Sequence, residues 1–164
     1  MVTRFARWLR HCFAPAAVHR FPAASLARIG QAIADGERLH GGEVVFAVEA
    51  GLPLAAVLRG IGPRERAQEV FAQLRVWDTE GNNGVLLYLL LADHAIEVVA
   101  DRGLRGVPDA EWQAVCREVE AGARGGGLEA AVVAGIARIG ALLAAHCPPP
   151  AAGREGLPDR PVLL

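Results

Sequence analysis

Lysine is absent from this sequence, and serine is nearly so. The 17 lysine-plus-arginine positions are all arginine, which excludes a Schiff-base lysine and the lysine of a nucleotide-binding phosphate loop. The one serine, Ser25, lies in the stretch AASLA, so the G-x-S-x-G motif of serine hydrolases is missing. We therefore expect neither a bound nucleotide nor serine-based catalysis.

Cysteine is also scarce. Cys12, Cys116 and Cys147 are an odd number and form no C-x-x-C pair, which predicts no zinc site, no haem attachment and no disulfide framework. None is followed at short spacing by the arginine with which cysteine phosphatases bind phosphate. Cys116 shares a helical face with Trp112 and Val119, which favours a role in core packing.

Neither sign of charge is in excess. The chain has 164 residues, a formal net charge of −1 and 52% hydrophobic residues. This balance predicts no nucleic-acid partner, since such proteins usually show a basic excess or patch. The composition is typical of a soluble globular domain with its own core.

Long hydrophobic runs are missing too. The run VLLYLLLA is far shorter than the roughly 20 residues of a membrane-spanning helix. Glu129 and Arg138 interrupt the alanine-rich segment 128–145, which fits a helix buried on a sheet. No signal-peptide pattern is present. We therefore expect a cytoplasmic protein without a transmembrane helix.

The N-terminal stretch MVTRFARWLRHCF places aromatic and basic residues on two arcs of a helix. Two interpretations remain open. The helix lies on an anionic membrane surface, giving peripheral contact through residues 1–14, or its apolar face packs on the domain. The residues predicted to contact the membrane are Arg4, Phe5, Arg7, Trp8, Leu9, Arg10 and Phe13. His11 belongs to the basic arc and Cys12 to the apolar arc.

Hydrophobic periodicity predicts the remaining elements. The expected helices are residues 22–39, 63–76, 108–121 and 128–146, and the expected strands are residues 43–50, 85–91 and 95–103. The stretch LAAVLRGIG is expected to be a variable connection. Glycine and proline in the tail predict an extended segment.

The order of these elements predicts an α/β fold. Strand, helix, strand implies parallel pairing with a right-handed crossover, and the third strand forms an antiparallel hairpin with the second. We expect a three-layer α/β/α sandwich with a small mixed sheet and two helices on each side. The predicted organisation is an N-terminal extension over residues 1–20, one domain over 21–146 and a tail over 147–164.

This topology brings the starts of the first two strands beside the end of the third. Carboxylate and amide oxygens collect on that rim, and they are the ligands that Ca²⁺ or Mg²⁺ prefers. The predicted metal ligands are Glu43, Asp78, Glu80, Asn82, Asn83 and Asp101. Glu37 and His40, just before the first strand, are expected nearby, with a turn role favoured for His40.

The loop DTEGNNG, residues 78–84, also has a simpler interpretation. It is not an EF-hand, because its second glycine comes one position late and Leu89 stands where a bidentate glutamate is required. Asn82, Asn83 and Gly84 can instead provide the left-handed conformations of a tight helix-to-strand turn. Cation loop and structural turn both remain open at this point.

The opposite rim carries Glu49, Asp93 and His94. Ligands of open parallel sheets usually bind outside the carboxyl ends of strands, which favours this rim. Asp93 and His94 are also common hairpin-turn residues. The rim is therefore a second location at which a site can form.

The motif order resembles the TPM domain family, whose members include a thylakoid-lumen phosphatase and accessory proteins of membrane complexes. The resemblance covers roughly residues 21–146 and rests on Glu43, the run NNGVLL (82–87) and the DRG of residues 101–103. It implies an α/β/α fold, divalent-cation binding, calcium especially, and phosphatase activity in some relatives. Many relatives carry a signal peptide and a C-terminal membrane anchor, and this chain is expected to have neither.

Two functions compete. The first is a binding or accessory module that holds Ca²⁺ or Mg²⁺ on the acidic rim and docks on a protein partner near a membrane. The second is a metal-dependent, acid-type phosphatase acting on phosphomonoesters, in which the cation activates water. In that case Arg102 is the expected phosphate-binding residue, because a guanidinium donates two hydrogen bonds to phosphate. No residue is a convincing catalyst, so the first function is favoured.

Overall fold

The structure is a computed structural model that describes residues 4–149 and 156–164. Within these residues, the helices and strands that the periodicity predicts appear in the predicted order along the chain. The helices are α1 (Arg4–Cys12), α2 (Ala17–Arg20), α3 (Ala23–Glu37), α4 (Leu54–Arg59), α5 (Pro63–Gln73), α6 (Asp109–Arg124) and α7 (Leu128–His146). The strands are β1 (Glu43–Glu49), β2 (Gly84–Leu90), β3 (Ala95–Ala100) and β4 (Val162–Leu163).

The sheet has the order β3-β2-β1-β4. β1 runs parallel to β2, with Glu43 opposite Gly84, and β3 runs antiparallel to β2, with Val85 opposite Ala100. The predicted parallel unit and hairpin are both confirmed. Helices cover both faces of the sheet, so the predicted α/β/α class is confirmed as well.

The two faces of the sheet bury two separate clusters. Alternate residues of β1 point to opposite sides: Val44, Phe46 and Val48 pack with α3, α6 and α7. Val45 and Ala47 face α4 and α5 on the other side. Every residue of β1 and β2 is buried, as expected for strands covered on both faces.

The distribution of helices differs from the prediction of two on each side. Three helices, α3, α6 and α7, cover one face. On the other face α5 is joined by α4, in the segment expected to be a variable connection. Pro53 precedes α4, Gly60 ends it with a left-handed φ of 83°, and Ala56 and Val57 are buried against the sheet. This helix was not predicted because six residues are too few to show a helical period.

The predicted helix over residues 63–76 ends earlier than expected. α5 stops at Gln73, and Arg75 adopts a left-handed φ of 55°. Val76 N donates to Phe71 O and Arg75 N donates to Ala72 O, both at 3.1 Å, so the helix ends in a Schellman motif around the left-handed Arg75. By contrast, α7 has the predicted bounds, 128–146.

The C-terminal tail contributes a fourth strand that the sequence analysis did not predict. β4 pairs in parallel with β1, and Leu164 N donates to Val48 O at 3.0 Å. Gly30 of α3 leaves room for the tail, since a Cβ there would lie 3.2 Å from Asp159 O. The strand was missed because two residues carry no periodicity, and their partner is far away in the sequence.

Helix α7 is long and apolar enough to cross a membrane by length and composition, with a mean hydropathy of 1.8. A core helix of a globular domain passes the same test. Here Val132, Ile136 and Ile139 pack in the cluster between α7, α3, α6 and the sheet.

Candidate functional site

The strand ends meet at one rim, as the topology predicts. Glu43 N donates to Asn83 O at 3.3 Å, and Asp101 N donates to Gly84 O at 2.9 Å. Gly103 N donates to Asn82 O at 2.8 Å, so the DRG segment lies against the loop 78–84. The backbone therefore holds the start of β1, the start of β2 and the end of β3 together.

The loop before β2 is a tight turn, to which Asn82, Asn83 and Gly84 contribute in different ways. Asn82 is left-handed, with φ 49°, as predicted, whereas Asn83 and Gly84 are not. Asn83 instead uses its side chain: Nδ2 donates to Gly41 O at 2.7 Å, which ties the loop to the start of β1. Gly84 is required because a Cβ there would overlap Val76 O.

Two buried oxygens on this rim have no hydrogen-bond partner among the residues that the structure describes. They are Asn83 Oδ1 and Asp101 Oδ2. The other oxygen of Asp101, Oδ1, accepts from Arg102 N at 2.7 Å, so the carboxylate is oriented by the backbone. Buried polar atoms nearly always form hydrogen bonds. These two oxygens are therefore the candidate ligand-binding atoms of the rim.

The other predicted metal ligands lie in different surroundings. Glu43 is 7% exposed, and its Oε2 accepts from Leu157 N of the tail at 3.0 Å. Asp78 is exposed and pairs with Arg75 at 2.5 Å. Glu80 is exposed on the turn. Asn82 Oδ1 accepts from Arg102 Nε at 3.0 Å.

Among residues 4–149 and 156–164, no group of three or more His, Cys, Asp or Glu side chains is arranged to hold a metal ion. The side chains thus occupy the predicted rim without forming a cluster of carboxylates. Ca²⁺ and Mg²⁺ also accept amide and backbone carbonyl oxygens, so the prediction of a cation site stays a prediction.

The carboxyl group of Glu37, near the start of β1, has a shifted pKa. Glu37 Oε1 accepts from Val44 N at 2.8 Å. Burial raises the pKa of Glu37 to about 9; the Val44 bond opposes the shift, while a hydrogen bond to Asp159 and the charge of Glu43 add to it. Glu37 is therefore protonated at neutral pH. The sequence analysis placed Glu37 near the rim but missed Asp159, since only β4 brings the tail there.

His40, the other residue expected nearby, is 2% exposed. Its Nδ1 lies 3.1 Å from Gly42 O, to which it donates, and its buried Nε2 has no hydrogen-bond partner within residues 4–149 and 156–164. Burial lowers the pKa of His40. The ring is thus a buried part of the turn before β1.

A cavity of about 610 Å³ adjoins the rim along the outer edge of β3. It is lined by Asp101 and by three arginines, Arg64, Arg102 and Arg105. Cys116 also lines it, but burial raises the pKa of that thiol to about 11, so the thiol is protonated at neutral pH. Glu97 and Asp109 line it as well, so the cavity combines three carboxyl groups, Asp101 among them, with three guanidinium groups.

On the opposite rim, Glu49 is bound by neighbours. Arg66 Nε and Nη2 donate to Glu49 at 2.9 and 3.0 Å, and Tyr88 OH donates at 2.6 Å. Burial and the Glu49 carboxylate raise the pKa of Tyr88, which keeps its hydroxyl a donor. The result is a buried ion pair beneath α5.

Asp93, on the same rim, binds helix α1. Arg7 donates to Asp93 Oδ2 at 2.8 Å and to Ile61 O at 2.7 Å. Leu52 N donates to His11 Nδ1 at 2.8 Å, so Nε2 carries the ring proton and donates to Asp93 Oδ1 at 3.1 Å. Burial opposes ionisation of Asp93, but Arg7 and His11 outweigh it and lower its pKa.

The faces of α1 are not arranged as the second interpretation expects, in which the apolar face packs on the domain. Arg7 and His11 face the domain, and Trp8 packs against the cluster beneath α4. Phe5 and Phe13 are 67% and 78% exposed. Leu9 is half-buried and Arg10 is exposed. The side chain of Arg4 lies outside the described part of the structure.

The model of the TPM domain family matches residues 18–142. The chain belongs to the TPM domain family. The predicted resemblance is thereby confirmed, and the matched segment runs from α2 to α7. In this TPM domain the loop 78–84, β2 and the DRG segment of residues 101–103 all lie inside the matched region.

The TPM domain is also similar to a solved structure. The NMR structure of the BA42 protein from the psychrophilic bacterium Bizionia argentinensis matches with a TM-score of 0.75 and 26% sequence identity. The match covers 87% of this chain and 94% of BA42. The comparison with curated proteins found no match.

Proposed function

We propose that this TPM domain is a binding module that holds Ca²⁺ or Mg²⁺ on the rim formed by Asn83 and Asp101, and that the loaded rim docks on a protein partner. The observation that carries the proposal is the pair of buried, unpartnered oxygens, Asn83 Oδ1 and Asp101 Oδ2. One is a neutral amide oxygen and the other belongs to a carboxylate. Both are the hard ligands that these cations prefer.

The surroundings of these oxygens support the same assignment. The carbonyl oxygens of Gly81 and Asn82 lie so close to Gly103 that a Cβ there would overlap them, so Gly103 keeps the loop and the DRG segment in contact. Arg102 Nε donates to Asn82 Oδ1. A bound cation supplies positive charge to Asp101 and fixes the loop 78–84.

A binding module fits this chain better than an enzyme because three titratable groups at or near the rim, within the described part of the chain, are poorly placed to transfer protons. His40 is 2% exposed and bonded to Gly42 O. The Cys116 thiol is protonated at neutral pH. Glu37, whose pKa is raised to about 9, keeps its proton in a hydrogen bond to Asp159.

The cavity beside Asp101 favours one alternative, a metal-dependent phosphatase acting on phosphomonoesters. Arg64, Arg102 and Arg105 line it, and guanidinium groups bind phosphate by paired hydrogen bonds. In that reaction the cation activates the attacking water and Arg102 positions the phosphate. Arg64 Nη1 already donates to Val98 O at 2.5 Å and Arg102 Nε to Asn82 Oδ1 at 3.0 Å. Arg105 and the remaining N–H groups of Arg102 are therefore the donors proposed for the phosphate.

Calorimetric titration of Ca²⁺ and Mg²⁺ into the metal-stripped chain tests the proposal. We expect one site in the wild type and a loss of at least roughly tenfold in affinity in both variants. Asp101→Asn removes the negative charge of the proposed carboxylate ligand, and Asn83→Ala removes an amide oxygen. Asp101→Asn keeps an oxygen for Arg102 N, so its fold should be preserved. Glu118→Ala, an exposed acid on α6, is the matched control and should bind like the wild type.

Absence of binding in the wild type contradicts both functions. Equal affinities in the wild type and Asp101→Asn place the cation elsewhere. Turnover of a generic phosphomonoester with Mg²⁺ or Ca²⁺ present, lost in Arg102→Ala, would favour the phosphatase over the binding module.

A further inference from the structure

Helix α1 is attached to the domain by its basic side, and this leaves apolar side chains on the outside. Arg7 and His11 bond to Asp93. Phe5 and Phe13 are consequently 67% and 78% exposed. Phe13 directly follows the last residue of α1. Single exposed apolar residues are common on soluble proteins, whereas several close together are typical of interaction surfaces.

Basic side chains surround this apolar face. A cavity of about 500 Å³ lies between the end of α1, the end of α2 and the turn after β2. Its lining includes Leu9, Arg10, Phe13, Arg20, Leu91 and His94. Among the described residues, no acidic side chain lines this cavity.

The nearest carboxylate of that turn, Asp93, does not alter this balance. Its side chain is 9% exposed and is bound by Arg7 and His11. Arg10 reaches it only at 3.4 Å and is itself 41% exposed. The charge presented outward by Arg10 and Arg20 is therefore positive.

We propose that the outer face of α1, formed by Phe5, Leu9 and Phe13 with Arg10 and Arg20 beside it, docks this protein on an anionic membrane surface. Phenylalanines enter the boundary between headgroups and acyl chains, and arginines remain at the level of the lipid phosphates. The cavity beside Phe13 admits a lipid headgroup next to Arg20. This surface lies at the opposite end of the sheet from Asn83 and Asp101, so the proposal is independent of the cation site.

The positive charge of this face favours a membrane, rather than a second copy of the chain, as its partner. A symmetric dimer through this face would bring the same arginines of two copies together, and like charges repel at close range. An anionic bilayer instead complements every charged group on the face. Helix α4, which packs beside α1, adds two further exposed leucines, Leu54 and Leu58.

Co-sedimentation of the full chain with vesicles tests the proposal. We expect stronger binding to vesicles of phosphatidylcholine mixed with phosphatidylserine than to phosphatidylcholine alone, and weaker binding at high salt. The double variant Phe5→Ser/Phe13→Ser should lose roughly tenfold or more in affinity because it removes the inserted apolar side chains. Arg20→Glu should lose roughly fivefold or more because one attraction becomes a repulsion.

Matched controls show whether vesicle binding depends on this face or on any exposed apolar or basic residue of the chain. Leu39→Ser changes another exposed apolar residue, 70% exposed, outside this face. Arg117→Glu changes an exposed arginine of α6. Both should bind like the wild type, and thermal unfolding of every variant checks the fold.

Two outcomes overturn the proposal. One is wild-type binding that does not depend on phosphatidylserine, salt or the Phe5 and Phe13 changes. The other is self-association that Phe5→Ser/Phe13→Ser abolishes, with no vesicle binding. The lipid and salt comparisons use the wild type alone, so they decide the matter even if a variant fails to fold.

Discussion

At the scale of single residues, Glu37 is the group with the clearest consequence for stability. Its carboxyl lies between the Val44 N–H, Asp159 and Glu43. Burial and the two neighbouring carboxylates favour the protonated form, so the pKa is about 9 in the folded chain against an ordinary value of 4.5. Folding therefore favours uptake of a proton by Glu37.

The stability of the protein should fall as pH rises through this range. Between pH 4.5 and 9 the unfolded chain releases the proton while the folded chain retains it, so the contribution is complete below 4.5 and lost by 9. Glu37→Gln mimics the protonated carboxyl, since it still accepts from Val44 N and donates to Asp159. We expect its Tm at pH 9 to exceed that of the wild type by roughly 2–4 °C or more.

Thermal unfolding measured from pH 5 to pH 9 checks this expectation. The gain of Glu37→Gln over the wild type should grow steadily with pH. Glu118→Gln, at an exposed position on α6, is the matched control and should follow the wild type. A constant difference at all pH values would show that Glu37 is ionised in the folded protein.

At the scale of elements, the attachment of α1 depends on Asp93. Its carboxylate accepts from Arg7 and His11, and both partners are largely buried. The lowered pKa of Asp93 means that this contribution is present above pH 3.8 and is lost as pH falls through the lower folded value. Helix α1 is thus held by polar contacts more than by its own apolar face.

Removing the Asp93 charge should loosen α1. In Asp93→Asn the shape and one acceptor remain, but Arg7 loses its ion pair, at a cost of roughly 1–3 kcal/mol. Trypsin should then cleave sooner after Arg7 and Arg10, which mass spectrometry of the early fragments can follow.

The control for this experiment is Asp35→Asn. Asp35 pairs with Arg38 at an exposed position, where such pairs contribute about 0–1 kcal/mol. Its fragments should appear at the wild-type rate. Unchanged cleavage in Asp93→Asn would mean that Trp8 packing alone holds the helix.

At the scale of the whole molecule, the tail completes the domain. β4 covers the outer edge of β1, and Leu157 N satisfies the buried carboxylate of Glu43. An uncovered strand edge presents unpaired donors and acceptors. The tail therefore stabilises both the sheet and the carboxyl groups beside it.

Truncation after residue 149 should lower the stability without abolishing the fold, because β1 keeps its pairing with β2. The Leu164–Val48 and Leu157–Glu43 bonds are each worth roughly 0.5–1.5 kcal/mol. Each kcal/mol corresponds to about 2–4 °C in Tm for a chain of this size. Differential scanning calorimetry measures the change.

Leu164→Ala is the matched control, since it keeps the backbone N–H that bonds to Val48 O. Its Tm should stay close to that of the wild type. A truncated chain with an unchanged Tm would contradict the packing of β4 on β1.

Much of the architecture was predictable from the sequence for a simple reason. Buried strands and amphipathic helices produce hydrophobic patterns among residues close in sequence. For this reason β1, β2, β3 and α7 were predicted close to their observed bounds. α4 and β4 were missed because each is too short to show a period. The rim at Asn83 and Asp101 was predictable because it follows from strand order.

The sequence by itself determined the fold class, the faces of the main strands and the family, since these depend on local patterns of burial and on short motifs. Only the tertiary structure decided which polar groups meet. Glu37 and Asp159 are far apart in the sequence, and β4 brings them together. An amphipathic pattern divides α1 into two arcs, but the partners Asp93 and Leu52 determine which arc faces the domain.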